Sequence, residues 1–207
     1  MHEDVLALDY DSEYANLIVN HNLSYETIAG EAVNQQNKGL LPTVVERYLK
    51  RRIYFKKLLK ELPKESIEYV WCEQRVNSVK NMLVCLYGST GSLWNRYGNV
   101  LAFEEINRLS REVLIKTKDI VQRLGYELVY ADTDSVFIKR KDTSAIDYNE
   151  VINTLSKETG LSISVDYHYK SLVLLPLEAD GKIEVLKHYF GITFRPCIHK
   201  AISDSAL

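Results

Sequence analysis

The chain has 207 residues, 46% of them hydrophobic, with 26 Lys and Arg against 28 Asp and Glu. Enough apolar side chain is present to bury one substantial core or two small ones, which excludes a disordered chain. The net charge of -2 excludes a uniformly basic nucleic-acid binder, so any charge directed at phosphate must be local.

The opening MHEDVLALDY lacks the basic-then-apolar design of a signal peptide, and no apolar run approaches the roughly 20 residues that cross a bilayer. Cys72, Cys85 and Cys197 form no CxxC pair, which speaks against a zinc site or a disulfide framework and for reduced thiols in a cytoplasmic protein with no membrane partner.

VLALDY reads as a short buried strand that delivers Asp9 at its end, followed by a helix over 12–21. After a polar stretch at 34–39, residues 41–62 carry helical periodicity, with Pro42 near the start and Pro63 as the stop. A second helix is expected over 73–86, and a turn at 63–66 makes the two an antiparallel hairpin. Beyond the glycine-punctuated turn at 88–91, Ile106, Leu109, Val113, Ile120 and Leu124 mark the apolar stripe of a long helix over 103–124, capped by Gly125.

ELVYADTDSVFIK then reads as two β-prone runs flanking Asp132-Thr133-Asp134, a hairpin with its acids at the turn. A helix over 148–158 and strands over 162–168, 172–175 and 183–186 complete an α+β pattern without internal repeats.

Asp132 and Asp134 stand two apart, a spacing that sends both side chains to one face of extended backbone. Carboxylates are natural ligands of hard divalent ions, and two such ions can activate an attacking hydroxyl and stabilise a leaving oxygen in phosphoryl transfer if a third carboxylate, best supplied by Asp9, joins them. Taken alone, an acidic turn is more often simply solvated, since Asp is a preferred turn residue.

The larger pattern resembles family B DNA polymerases, in an archaeal-like form. YADTDS (130–135) matches the motif YxDTDS, LDYDSEY (8–14) resembles DxxSLY, and RVNSVKNMLVCLYG (75–88) resembles RQxxxKxxxNSxYG, in the family's order. GLLPTVVERYLKRRIYFKK resembles the fingers helix, and LKHYFG (186–191) resembles KKRYxG. The resemblance implies an antiparallel palm sheet with packed helices and an inserted two-helix fingers hairpin. It divides the chain into palm at 1–33, fingers at 34–87, palm again at 88–185 and the start of a thumb at 186–207.

The family's roles carry over residue by residue. Asp9, Asp132 and Asp134 would hold two magnesium ions, with manganese as the substitute. Arg52, Lys56 and Lys80 would contact the triphosphate of a dNTP, and Tyr14 and Tyr87 would line its pocket, Tyr14 lying under the deoxyribose. Lys187 and Tyr189 would contact primer-template DNA. Outside this context the basic run is a solvated helix face or a localisation signal, Lys80 an ordinary surface lysine, and Tyr14 and Tyr87 ordinary half-buried aromatics. Lys60, though on the same stripe as Arg52 and Lys56, keeps the solvated reading.

Several positions depart from the family pattern: Glu13 stands for leucine, Ala15-Asn16 for proline-serine, and Val84-Cys85 for asparagine-serine. These departures point to a divergent paralogue or fragment, in replication or repair at the nucleoid, with weakened nucleotide affinity or altered fidelity. A further polymerase chain is expected to supply exonuclease and thumb regions. The rival reading is a weakened or inactive polymerase-like scaffold that binds DNA and needs a partner chain.

Overall fold

The computed structural model describes residues 1–30, 32–141, 147–177 and 180–194. The elements run β1 (His2–Tyr10), α1 (Glu13–Asn20), β2 (Ile28–Ala29), β3 (Ala32–Val33), α2 (Leu40–Glu61), α3 (Ile67–Thr90), α4 (Val100–Arg123), β4 (Tyr126–Asp132), β5 (Ser135–Arg140), α5 (Tyr148–Thr159), β6 (Ile163–Leu177) and β7 (Asp180–Thr193). They divide into two compact units, one formed by Met1–Asp11 with Val113–Leu207 and the other by Ser12–Glu112.

The first unit is built on a five-stranded sheet in the order β4-β5-β1-β6-β7, with every neighbouring pair antiparallel. β1 is its middle strand, and Val5, Leu6, Ala7 and Leu8 are all buried. An alternating strand buries one face, so four consecutive buried residues mean that both faces are covered. On one face Val5 and Ala7 cluster with Phe137, Tyr169, Leu172 and Leu174. On the other, the Tyr10 hydroxyl meets the Thr117 hydroxyl of α4 at 2.6 Å, and Ile120 and Val121 of α4 and Val151 and Leu155 of α5 are also buried. The α+β antiparallel architecture read from the sequence is the observed one. The strands expected at 162–168 and 172–175 are a single element, because Tyr169 to Ser171 stay extended against β1.

The second unit is helical. α2 and α3 form the expected antiparallel hairpin, closed by a turn in which the Ser66 amide donates to the Pro63 carbonyl and packed on Phe55, Cys72 and Val76 with Leu58, Leu59 and Leu62. α3 begins six residues before the expected start: the Ser66 hydroxyl accepts from the Tyr69 amide, a side-chain cap that satisfies one of the orphan donors of the first turn. The small β2–β3 hairpin was not read from the sequence. Among the described residues, no helix is long and apolar enough to cross a membrane. The thumb expected from 186 onward includes 195–207, which lie outside the described residues.

Candidate active site

In the sheet unit, register places the acids. Asp9 pairs with Ser135 across β1 and β5, and Ser135 pairs with Asp132 across β5 and β4. Directly opposed residues in a sheet point to the same face, so Asp9, Ser135 and Asp132 form a row across three strands on the face that carries Phe137 and Tyr130. The Ser135 hydroxyl donates to Asp9 Oδ1 at 3.0 Å, and the Tyr10 amide donates to the Asp134 carbonyl at 2.9 Å. The ends of the two motifs are therefore tied by backbone and side chain alike. Asp134 itself sits in the two-residue turn, beside Thr133, which takes the left-handed φ of 47°.

Strands lie about 4.8 Å apart, so Asp9 and Asp132 stand roughly 10 Å from each other at the backbone. Among the described residues, no group of three His, Cys, Asp or Glu side chains is gathered closely enough to hold a metal ion. The donor chemistry nevertheless fits a hard divalent ion: the site offers carboxylates and a hydroxyl, with no thiol or imidazole in the row.

The LKHYFG segment reaches this face through a bulge. Leu174 pairs with Tyr189 and Pro176 with Glu184, so two steps along β6 span five along β7. A bulge of this kind re-aims side chains, and Lys187 within it takes a φ of 65°. Its amide donates to the Tyr130 hydroxyl at 2.9 Å, and its ammonium lies 3.7 Å from Asp132 Oδ2. The Tyr189 ring packs edge-on against Phe137 at 5.0 Å and near Tyr130 at 6.0 Å. Burial first, then the neighbouring Tyr130 and the carboxylates of Asp132, Asp166 and Asp9, push the Tyr189 phenol above its ordinary range. The structure thus brings Asp9, Asp132, Asp134, Lys187 and Tyr189 into one part of the sheet unit.

In the helical unit, α1 begins at Ser12, whose φ of 54° is left-handed and whose hydroxyl caps no amide of its own helix. That hydroxyl instead accepts from the Arg52 guanidinium of α2. The guanidinium is a positive feature that suits an anion, while the first turn of α1 beside it already carries the buried Glu13. Lys56 is half-buried one turn further along α2, whereas Lys80 on α3 is exposed.

Tyr14 and Tyr87 stack almost parallel, with centroids 4.2 Å apart and planes 5° apart, and Phe103 of α4 continues the stack on Tyr87 at 5.2 Å. The Tyr87 hydroxyl donates to Asn107 Oδ1 at 2.7 Å. Burial, and then the neighbouring Tyr87, pushes the Tyr14 phenol up to about 12, against a hydrogen bond with Ser110 that acts in the opposite direction. Glu13, the departure from leucine, is buried at 3% exposure, while Val84 and Cys85 are exposed. Ser135, Phe103 and Asn107 were not singled out from the sequence. Ser135 lies within the YADTDS motif, whereas Phe103 and Asn107 belong to a long amphipathic helix whose pattern carries no sign of what these two side chains meet.

An antiparallel sheet that sets two carboxylates in one row is accompanied by a family match: the chain belongs to DNA polymerase family B, whose model matches residues 32–176. That stretch contains Asp132 and Asp134 and begins after Asp9. Among similar proteins, the DNA polymerase alpha catalytic subunit of Xenopus laevis is 26% identical over 192 residues, covering 83% of this chain and 13% of that protein. DNA polymerase 2 of Aeropyrum pernix is 26% identical over 210 residues, covering 90% of this chain and 26% of that protein. The solved structure of the family B DNA polymerase from Pyrobaculum calidifontis superposes with a TM-score of 0.71 at 25% identity, over 93% of this chain and 26% of that one. The chain therefore spans about a quarter or less of the length of these relatives.

Proposed function

We propose that this chain carries the nucleotidyl-transfer residues of a template-directed DNA polymerase, which joins a dNMP from a dNTP to a primer 3′-hydroxyl and releases pyrophosphate. The observation that carries the reading is the row Asp9–Ser135–Asp132, in which residues 126 positions apart are set side by side by strand register. We assign the sheet unit to the palm and the α2–α3 hairpin to the fingers, with the thumb beginning near 186.

Asp9, Asp132 and Asp134 are the residues that would hold two magnesium ions, or manganese in their place, and ions so held would lower the pKa of the attacking hydroxyl and stabilise the leaving oxygen. Ser135 orients the Asp9 carboxylate by its hydrogen bond. Lys187 and Tyr189 face primer-template DNA, their positions supported by the β7 bulge.

Arg52 and Lys56 bind the triphosphate. Lys80 supplies a third cation for charge that develops on the departing phosphates. Tyr14, held flat against Tyr87, excludes a ribose 2′-hydroxyl by its bulk. Truncating it in Tyr14→Ala is expected to raise ribonucleotide incorporation relative to deoxyribonucleotide by roughly 10–100-fold, read as the ratio of kcat/KM for the two substrates.

A weakened or inactive DNA-binding scaffold that depends on a further chain for exonuclease and thumb regions is the second reading. It is favoured by exposed Val84 and Cys85 where the family pattern has asparagine and serine. Extension of a labelled primer-template at low salt, with and without magnesium, decides between the two. Magnesium-dependent extension supports the polymerase, and DNA binding without extension at high protein concentration supports the scaffold.

A further inference from the structure

The α2–α3 hairpin is the basic part of an otherwise slightly acidic chain: from 40 to 90 there are ten Lys and Arg against five Asp and Glu. Only Arg52, Lys56 and Lys80 are assigned to the triphosphate. Much of the remaining charge lies elsewhere on the helices. Tyr54 is two residues from both Arg52 and Lys56, about 200° around α2, and shares its side with Lys50 and Lys57 at helical spacing. On α3, Trp71 stands nine residues from Lys80, which is two and a half turns and so the opposite face, with Arg75 one turn from Trp71.

Contacts within the unit join the two helices on that side. Tyr54 packs on Phe55 at 5.4 Å, and Phe55 meets Trp71 edge-on at 5.6 Å. The Arg75 guanidinium lies over the Trp71 ring, 4.5 Å from its centroid, and so fixes the indole. Yet Tyr54 is 58% exposed and Trp71 50% exposed, and Arg51, Lys57 and Arg75 are exposed around them, while Lys50 shares Glu46 with Lys38. A merely solvated helix face has no use for a half-exposed tryptophan held in place by an arginine. Aromatic rings interleaved with cations are what unpaired nucleotides require, because bases stack on the rings while the cations meet the phosphates, whatever the sequence.

We propose that the Tyr54–Trp71–Arg75 face of the hairpin binds single-stranded nucleic acid, at a site separate from the one that holds the incoming nucleotide. The site neither needs nor reports nucleotidyl transfer, so it stands or falls independently of the polymerase reading.

The test uses the full chain with Trp94→Phe, which leaves Trp71 as its single tryptophan, titrated with oligothymidylate in the absence of dNTP and magnesium. The bound oligonucleotide should quench Trp71 emission, and Trp71→Ala should weaken binding about 5- to 100-fold, the range of a lost base–ring stack. Arg75→Glu, a substitution on the exposed surface, should weaken binding and flatten its salt dependence without altering helical circular dichroism. Unchanged emission at saturation overturns the proposal. So does oligonucleotide affinity kept within twofold by both variants, and self-association of the chain lost in those variants with binding retained would reassign the face to a protein contact.

Discussion

Primer extension by Asp132→Asn, Asp134→Asn is expected to fall by roughly three orders of magnitude or more, with the fold unchanged. Asparagine keeps the shape of each side chain but removes two negative charges from a site whose anionic donors for a divalent ion are carboxylates. The structural cost is small. Asp132 gives up a 3.7 Å approach to an ammonium that is 68% exposed, an interaction that screening reduces to almost nothing, and the Asp134 carbonyl that accepts from the Tyr10 amide is untouched. Steady-state kcat with an unchanged far-ultraviolet spectrum checks the expectation. A variant that extends primers as well as the parent would remove these carboxylates from the chemistry.

The second large effect is on stability. Leu8→Ala should cost the sheet unit about 3 kcal/mol, because Leu8 is fully buried on the middle strand and flanked by Val136 and Val165 in neighbouring strands that hold the cavity open. With a urea m-value of about 1–3 kcal/mol/M, the unfolding midpoint of the variant falls by roughly 1–3 M. Leu93→Ala is the contrasting case: its side chain is 82% exposed, and the midpoint should stay within the scatter of ordinary surface substitutions. Asp9 follows Leu8 directly, so extension by Leu8→Ala should also fall, and should recover in conditions that restore folding.

How far the sequence carried this picture depended on the range of the interactions. α2 was legible almost to the residue because Pro42 and Pro63 act locally at its ends. The start of α3 was missed because Ile67, Val70 and Trp71 lie in solvent, which scrambles the apolar periodicity from which a helix is read. The turn bearing Asp132 and Asp134 was legible as a local β-turn signal. That Asp9 joins Asp132 was reached through the family resemblance and not from local pattern, because the row depends on register between strands separated by more than a hundred residues.

In the helical unit both motif tyrosines could be singled out, but their stacking could not, since a ring pair is a property of packing. Lys187 was placed near the duplex-contacting motif by resemblance. Its approach to Asp132 comes from three surplus residues in β7 that no alternation pattern reveals.

The central position of β1 also has a consequence for how the chain is made. Its partners are Ser135 to Lys139 and Ile163 to Leu172, so residues 2–10 emerge from the ribosome long before either neighbour exists. At roughly 5–20 residues per second, that delay is on the order of ten seconds. The contiguous stretch Ser12–Glu112 can collapse during this interval, whereas Val5-Leu6-Ala7-Leu8 waits unpaired, apolar on both sides and open to strands of other nascent chains. Yield in the cell should therefore depend on what shields those four residues during synthesis more than on the stability of the finished sheet.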